Sequence, residues 1–373
     1  MKRLKVLHIT STRYGIGGVE RLLLDMSDKF ESDKYEFAYC NLFCEAGGEG
    51  VFPTELKNRG LRFFQIDGKR VSEIPMMTVD LARILRREKF DIIHLHMMKA
   101  SIVGWIASRF CSSKTVITRH YTAALIAKHP APMRWLDRKA ISNVDRAIAI
   151  SNFVKNDMIA SGVESERITV VYNGLDLNAF DSSKVRSGTE KADMVIGSVG
   201  SLTKRKGHRF LIEAFAKVAN DIPNVRLVIA GEGPEFGSLT SLVHSLDLAS
   251  RVTFTGYSSN VPSLLSEFDL YVHPATDEPF GIAVLEAMSS GLCVIATAVD
   301  GVPEIIQDGQ TGILVASQDP DQMASAMRRT LVAPDLRSRL GAMAIEEVSA
   351  RFDILKTVDG YAAVYRSLIG LND

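Results

Sequence analysis

Residues 194–219 read MVIGSVGSLTKRKGHRFLIEAFAKVA, and this segment contains the unit on which the predicted architecture is built. Met194–Val199 has the length and apolar character of a buried β-strand, and Arg209–Ala219 carries apolar residues at helical spacing. The turn between them is polar and holds three consecutive cations at positions 204–206. A strand, a loop and a helix in this order form the repeating unit of a parallel sheet that is covered by helices.

The same alternation runs through the whole chain. Strands are predicted at Leu4–Thr10, Glu36–Leu42, Asp91–His96, Thr115–Arg119, Arg146–Ile150 and Ile168–Val171, and again at Met194–Val199, Val225–Ala230, Val252–Thr255, Leu270–His273 and Cys293–Thr297. Amphipathic stretches lie between them, and the last one ends near the C-terminus. The alternation predicts α/β architecture with doubly wound, Rossmann-like sheets.

A chain of 373 residues is long enough for two domains. The polar stretch DSSKVRSGTEKAD at 181–193 interrupts the alternation and predicts a linker. We therefore expect an N-terminal, acceptor-side domain over 1–180 and a C-terminal, donor-binding domain over 194–352. A final helix is expected within 353–373, with the N-terminal domain as one candidate surface for it.

The composition is that of a soluble globular enzyme, with 46% apolar and 24% charged residues. The apolar run at the N-terminus is too short for a signal peptide, and the four cysteines form neither a CxxC pair nor a cysteine–histidine cluster. These features predict a cytoplasmic protein. The net charge is zero, which disfavours a nucleic-acid binder. Residues 1–180 nevertheless carry seven more cations than anions, and the rest of the chain carries the opposite imbalance.

Two glycine loops fail as nicotinamide-binding fingerprints. The loop at 15–18 is followed by Glu20, and the loop at 231–233 by Phe236, where the fingerprint needs its third glycine. This disfavours an oxidoreductase. A glycine loop still lets the backbone approach a ligand, and a helix N-terminus favours an anion. A tight turn between strand and helix explains the 15–18 loop equally well.

The cationic turn lies where open α/β sheets bind their ligands, at the carboxyl end of a strand. Arg205 can grip phosphate oxygens with two hydrogen bonds, and Lys206 can act as a point charge. A solvated basic turn is the alternative interpretation.

A second segment, Glu278 to Glu286, contains a Pro-Phe-Gly turn and the start of a helix. The free backbone amides of Gly281, Ile282 and Ala283 are predicted to point at an anion such as a diphosphate. Glu278 lies before this helix end and Glu286 more than one turn inside it. A nucleotide sugar could therefore offer sugar hydroxyls to one carboxylate and ribose hydroxyls to the other.

Taken together, these motifs resemble the family 4 glycosyltransferases, which are retaining enzymes of the GT-B fold. The resemblance spans nearly the whole chain and is strongest across 195–315. It is carried by Gly-Gly-Val-Glu-Arg at 17–21, Val-Val-Tyr-Asn-Gly-Leu-Asp at 170–176, Lys-Gly at 206–207, Gly-Glu-Gly-Pro at 231–234, and Glu-Pro-Phe-Gly through Glu286. The GT-B fold implies two Rossmann-like domains that face each other across a cleft.

The resemblance implies a role for each segment of the C-terminal half. Glu278 is expected to contact the donor sugar and Glu286 the ribose of the nucleotide. Arg205 and Lys206 are expected to neutralise the leaving diphosphate, with the amides at the start of the helix. The loop at 256–258, which includes Ser258, is expected to hold the base. Many family members have Arg where Ser201 stands, and Arg205 is the candidate substitute.

In the N-terminal half, the resemblance implies that Gly17 and Gly18 face the donor phosphates and the acceptor. His120 matches a histidine beside the transferred sugar, although a hydrogen-bonded loop histidine is the alternative. The implied reaction retains the anomeric configuration, and no carboxylate is placed as a covalent nucleophile, so front-face attack is favoured. No cofactor is expected beyond the nucleotide-sugar co-substrate, and a metal should not be required. The Asp-Pro-Asp sequence at 319–321 is interpreted as a helix N-cap.

The donor carrier expected from the family is UDP. The acceptor is expected to be a glycan or a lipid-linked molecule in cell-surface polysaccharide or lipopolysaccharide synthesis. A GT-B epimerase or phosphorylase, or a non-catalytic nucleotide-sugar-binding protein, remains the alternative.

Residues 114–146 contain seven cations and two anions, with Trp135 among them. This pattern fits an anionic membrane surface or a lipid-phosphate acceptor. A peripheral location on the inner face of the cytoplasmic membrane is therefore one expectation. An ordinary solvated helix with Trp135 in the core explains the pattern as well.

Overall fold

The computed structural model describes residues 3–11, 17–44, 50–68, 70–180 and 193–370. The predicted linker lies outside the described residues, apart from Asp193. The chain divides into two compact units, one formed by Met1–Gly174 with Ile354–Asp373 and the other by Leu175–Asp353. The division thus falls at Gly174, and the final helix belongs to the first unit.

The first unit is built on a parallel sheet of seven strands in the order β3-β2-β1-β4-β5-β6-β7. The strands are β1 (Leu4–Thr10), β2 (Tyr35–Cys44), β3 (Arg62–Asp67), β4 (Ile92–His96), β5 (Lys114–Arg119), β6 (Arg146–Ala149) and β7 (Ile168–Val170). Its helices are α1 (Gly18–Ser27), α2 (Val51–Asn58), α3 (Ile74–Glu88), α4 (Met98–Ser108), α5 (Ala123–Ile126), α6 (Ala131–Ser142), α7 (Asn152–Ala160) and α14 (Ile354–Leu368).

The second unit repeats this plan with six parallel strands in the order β10-β9-β8-β11-β12-β13. The strands are β8 (Met194–Val199), β9 (Val225–Ala230), β10 (Val252–Gly256), β11 (Leu270–His273), β12 (Val294–Thr297) and β13 (Ile313–Val315). Its helices are α8 (His208–Asp221), α9 (Phe236–Ser245), α10 (Val261–Leu265), α11 (Ile282–Ser289), α12 (Pro320–Leu331) and α13 (Pro334–Arg351).

Two parallel sheets covered by helices confirm the predicted α/β class and its two Rossmann-like domains. Sequence periodicity missed two strands, β3 and β13, and both lie at sheet edges. β3 is only partly buried and β13 is three residues long, so neither presents the continuous apolar run that marks a central strand.

The strand order reverses between β1 and β4 in the first sheet and between β8 and β11 in the second. Open α/β sheets bind ligands beside the carboxyl ends of the strands at such a reversal. The cationic turn follows β8, and the Glu278 segment follows β11. The topology therefore brings these two segments side by side.

The first core includes α14, whose Tyr361 and Tyr365 are fully buried with residues of β1, β4 and β5. The second core lies between its sheet and α8, α9, α12 and α13. Within the described residues, no helix combines the length and apolar character that crossing a bilayer requires.

Candidate active site

The cationic turn after β8 is a short 3-10 helix, Lys204–Lys206, that ends at Gly207. Gly207 has a φ of +66°, and a Cβ there would lie 1.9 Å from the carbonyl oxygen of Pro274. Only glycine lets the turn pack this closely on the loop after β11. The backbone amide of Thr276 then donates to the carbonyl of Arg205 at 2.7 Å, which joins the two loops.

Glu278 is the centre of the site. Its carboxylate forms an ion pair with the ammonium of Lys206 and accepts a hydrogen bond at 3.1 Å from Nε2 of His273, at the end of β11. Glu278 is only 7% exposed, and His273 is buried. The structure therefore brings together two residues that the sequence singled out and adds His273, which the sequence analysis missed. A polar residue at the carboxyl end of the predicted strand Leu270–His273 was the available signal.

Charge keeps Glu278 ionised in this buried position. Burial by itself would raise the pKa of Glu278, but Lys206 and His273 outweigh it and hold the pKa well below its usual value. Burial lowers the pKa of His273, against the opposing effect of the hydrogen bond to Glu278. At neutral pH the site thus holds a carboxylate, an ammonium and a neutral imidazole that donates to the carboxylate.

The backbone of Glu278 is held by the next loop. Its amide donates to the side chain of Asp300 at 2.8 Å, and its carbonyl accepts from the amide of Gly301 at 3.2 Å. Arg205 donates from its guanidinium to the carbonyl of Asp277 at 3.2 Å. The loop after β12 and the cationic turn after β8 therefore both fix the position of Glu278. Ser201, where many family members have Arg, lies exposed at the end of β8.

The helix that follows, α11, begins directly after Gly281, whose φ of +115° favours glycine. Ile282 and Ala283 are its first two residues and are half-buried, as is Glu286 one turn later. The first amides of a helix have no acceptor within it and carry partial positive charge. The N-terminus of α11 thus adds partial positive charge three residues after Glu278.

The loops after β9 and β10, at the same edge of the sheet, also lie close to each other. The amide of Gly231 donates to the carbonyl of Gly256 at 2.8 Å, and the amide of Tyr257 donates to Glu232 at 3.4 Å. Ser258 is half-buried in the loop after β10. A Cβ at Gly231 would lie 1.9 Å from the carbonyl oxygen of Gly200, so the glycine lets this loop pack against the cationic turn.

In the first unit, Gly17 is the N-cap of α1 and Gly18 is its first residue, and both are exposed. The amide of Gly17 donates to the carboxylate of Glu20 at 3.0 Å. Gly15 lies outside the described residues.

His120 follows β5 and is half-buried at the end of a row of three imidazoles. Its Nε2 lies 3.1 Å from Nδ1 of His96, and Nε2 of His96 lies 3.0 Å from Nδ1 of His8. His94 stacks on His96 with a ring-centroid distance of 4.3 Å. Of these four histidines, only His120 was predicted from the sequence, although the alternation His94-Leu95-His96 within a predicted strand places two histidines on one face of the sheet.

Among the described residues, one group of histidine, cysteine or carboxylate side chains lies close enough together to hold a metal ion. It consists of His8, His94 and His96, whose ligand atoms lie within 4.8 Å of one another. The nitrogens of His94 are already 2.6 Å from the hydroxyls of Tyr365 and Thr118. Both nitrogens of His96 face other histidines. The rings are buried, and the group contains no carboxylate from the described part of the chain to offset a divalent charge, so the hydrogen-bonded arrangement fits them better than a metal.

The Asp-Pro-Asp sequence behaves as predicted. The Asp319 side chain accepts from the amide of Gln322 at 2.9 Å and caps α12, while Asp321 pairs with Lys217. The N-cap interpretation is confirmed.

Comparison with known proteins agrees with this geometry. Residues 180–347 match the family model described as glycosyl transferases group 1, and residues 16–179 match glycosyltransferase family 4. N-acetyl-alpha-D-glucosaminyl L-malate synthase of Bacillus anthracis is 29% identical over 297 residues, which are 78% of this chain and 78% of that protein. D-inositol 3-phosphate glycosyltransferase of Mycobacterium ulcerans is 31% identical over 309 residues, which are 75% of this chain and 65% of that protein.

Among solved structures, Anabaena HepE in complex with UDP superposes with a TM-score of 0.83 at 25% identity. The match covers 98% of this chain and all of that one. The two family models together span nearly the whole chain, and the structural match extends over both sheets. The chain therefore belongs to the family 4 glycosyltransferases and is a glycosyltransferase of the GT-B fold.

Proposed function

We propose that this enzyme transfers a sugar, with retention of configuration, from a nucleotide-diphosphate sugar to a glycan or lipid-linked acceptor. The observation that carries the proposal is the buried, ionised Glu278, which lies between Lys206 and His273 and three residues before the N-terminus of α11. UDP is the proposed carrier, and the UDP complex of HepE supports this choice.

In this proposal, the amides of Ile282 and Ala283 and the side chains of Arg205 and Lys206 bind the diphosphate. They stabilise the negative charge that develops as the bond between the anomeric carbon and the phosphate oxygen breaks. Lys206 has three N–H groups, so it can touch the diphosphate while it keeps its bond to Glu278. Glu278 accepts hydrogen bonds from the donor sugar, and Glu286 accepts them from the ribose.

The acceptor hydroxyl forms the new bond to the anomeric carbon on the face that the diphosphate leaves. Its proton passes to the departing phosphate oxygen, so no covalent sugar–enzyme intermediate is needed. Gly17, Gly18 and His120 are proposed to contact the donor phosphates, the acceptor and the transferred sugar. Ser258 and its loop are proposed to hold the base.

The need for an acceptor distinguishes sugar transfer from the epimerase reaction known for the same fold, because an epimerase turns over the donor without any acceptor. Release of UDP that depends on an acceptor is therefore the expected result.

Donor binding should raise the melting temperature of the protein, because a ligand that binds only the folded state stabilises it. UDP and UDP-sugars are expected to give larger shifts than ADP, GDP or UMP, as measured by thermal denaturation at millimolar ligand. At a concentration 100 times Kd, the stabilisation is about 2.7 kcal/mol. Lys206→Ala should remove most of the shift, whereas Lys204→Ala, on the exposed side of the same turn, should keep it. If no nucleotide diphosphate produced a shift, the donor assignment would fail.

The acceptor side includes the basic helix α6. Trp135 is 59% exposed there, next to exposed Arg134 and Arg138. The core position considered for Trp135 is thus wrong, and an exposed aromatic ring among cations is typical of proteins that bind an anionic membrane surface. We therefore propose peripheral binding at the inner face of the cytoplasmic membrane and an acceptor in cell-surface polysaccharide or lipopolysaccharide synthesis.

Flotation with liposomes tests this surface. The protein is expected to float with vesicles that contain phosphatidylglycerol and to stay in the dense fraction with pure phosphatidylcholine. Trp135→Ser should reduce flotation several-fold, whereas Phe236→Ser, at a residue 52% exposed in the second unit, should not. Equal flotation with neutral and anionic vesicles, or none with either, would end the membrane proposal.

A further inference from the structure

The row of histidines in the first unit has a geometric origin in the sheet. His8 on β1 pairs with His94 on β4, and His96 lies two residues later on the same face. His120 follows the next strand, β5. The hydrogen bonds His8–His96 and His96–His120 therefore run across three neighbouring strands and end at the half-buried ring of His120.

These rings are neutral at physiological pH. Burial lowers the pKa values of His8 and His120 to about 3 and that of His96 well below its usual value. A neutral imidazole has one N–H donor and one acceptor nitrogen. His96 therefore donates to one neighbour and accepts from the other.

This restriction links the tautomers of all three rings. If Nδ1–H of His96 donates to His120, then Nε2 of His120 is an acceptor and its proton sits on Nδ1. His8 must then donate from its own Nδ1, so all three rings are Nδ1–H tautomers. In the opposite arrangement all three are Nε2–H tautomers. The state of His96 thus decides whether the free nitrogen of His120, Nδ1, is a donor or an acceptor.

We propose that His96 is a positioning residue for sugar transfer, because its hydrogen bond fixes the ring orientation and the tautomer of His120. His8 in turn holds His96 through the hydrogen bond to its other ring nitrogen. The proposal rests on the proposed function, in which His120 contacts the transferred sugar. A ring with a single defined tautomer offers the sugar one kind of hydrogen bond, without the cost of reorganisation during the reaction.

The unmodified protein provides the first test. With ¹⁵N-labelled histidine, the nitrogen chemical shifts of His8, His96 and His120 should report one common tautomer at pH 7.5, with assignments from single substitutions. A mixed set of tautomers would overturn the proposal. So would stoichiometric zinc in the purified protein, because a bound metal would take the place of the hydrogen bonds.

Two substitutions at His96 provide the second test. The amide of Asn reaches the position of the imidazole Nδ1, which faces His120, and the amide of Gln reaches that of Nε2, which faces His8. His96→Asn is therefore expected to keep kcat within about threefold of the unmodified enzyme. His96→Gln should lower kcat about 10- to 100-fold with little change in the donor KM, and should alter the ¹⁵N signals of His120.

The controls separate this proposal from the proposed function. His129→Gln, at an exposed histidine of the same unit, should leave kcat unchanged. If the unmodified chain transfers no sugar, the proposed function fails, while the tautomer measurement still tests the hydrogen-bonded row. If transfer is normal and His120→Ala retains it, or if Asn and Gln at position 96 give equal kcat values, the positioning role is overturned and the transferase function stands.

Discussion

Replacing Glu278 with Gln is expected to lower kcat about 10³-fold, which corresponds to about 4 kcal/mol of lost transition-state stabilisation. Gln keeps the shape of the side chain but removes the charge that Lys206 and His273 hold in place. The donor sugar then loses a charged hydrogen-bond acceptor, and the ammonium of Lys206 loses its partner. The effect should appear in the rate of acceptor-dependent UDP release at saturating donor.

The matched control is Glu346→Gln, which removes an exposed carboxylate of the second unit. It should leave kcat unchanged. Glu278→Ala should nearly abolish transfer as well, and thermal denaturation of each variant shows whether the fold is retained. If folded Glu278→Gln turned over at the original rate, Glu278 would have no place in the reaction.

Acid is expected to destabilise this protein steeply below pH 6.5. Burial lowers the pKa of six of the eight histidines, His8, His94, His96, His120, His208 and His273. Below pH 6.5 these rings take up protons more readily in the unfolded chain than in the folded one. The unfolded state then binds more protons, so the free energy of unfolding falls as the pH falls.

Each such ring contributes about 1.4 kcal/mol per pH unit within this window. The first unit contains four of these six rings, so its free energy of unfolding should fall by about 5 kcal/mol for each pH unit. This change is comparable to the whole stability of many domains. Both tryptophans, Trp105 and Trp135, lie in the first unit, so urea unfolding followed by tryptophan fluorescence at pH 7.5, 6.5 and 5.5 measures it directly. His129→Gln should leave the slope unchanged. Equal stability at all three pH values would contradict the prediction.

The fold was largely predictable from the sequence because central strands of a parallel sheet are buried on both faces. Met194–Val199, Val225–Ala230 and Leu270–His273 are observed with the bounds that their apolar runs predicted. The edge strand β3 was missed because it is only partly buried and lacks a continuous apolar run, and β13 was missed because it is only three residues long. Local signals also identified the N-cap of α12, where the Asp319 side chain accepts from the amide of Gln322.

The candidate site was only partly predictable. The glycines, cations and glutamates of the second unit stand in short motifs, so each could be identified in its own segment. Periodicity does not reveal which strands are neighbours, and the partners of these residues depend on that. Lys206 and Glu278 are 72 positions apart, and they meet because β8 lies beside β11.

Local spacing of residues was enough to predict the class of the fold, the segments that carry polar chemistry and the family. The hydrogen bond from His273 to Glu278 and that between His96 and His8, 88 positions away, became visible only in the folded chain. So did the position of the C-terminal helix on the first sheet, where Tyr365 meets His94. Hydrogen bonds and ion pairs act over a few ångströms of space, and packing of the whole chain sets the order of strands in a sheet, so contacts between distant residues cannot be predicted from local spacing.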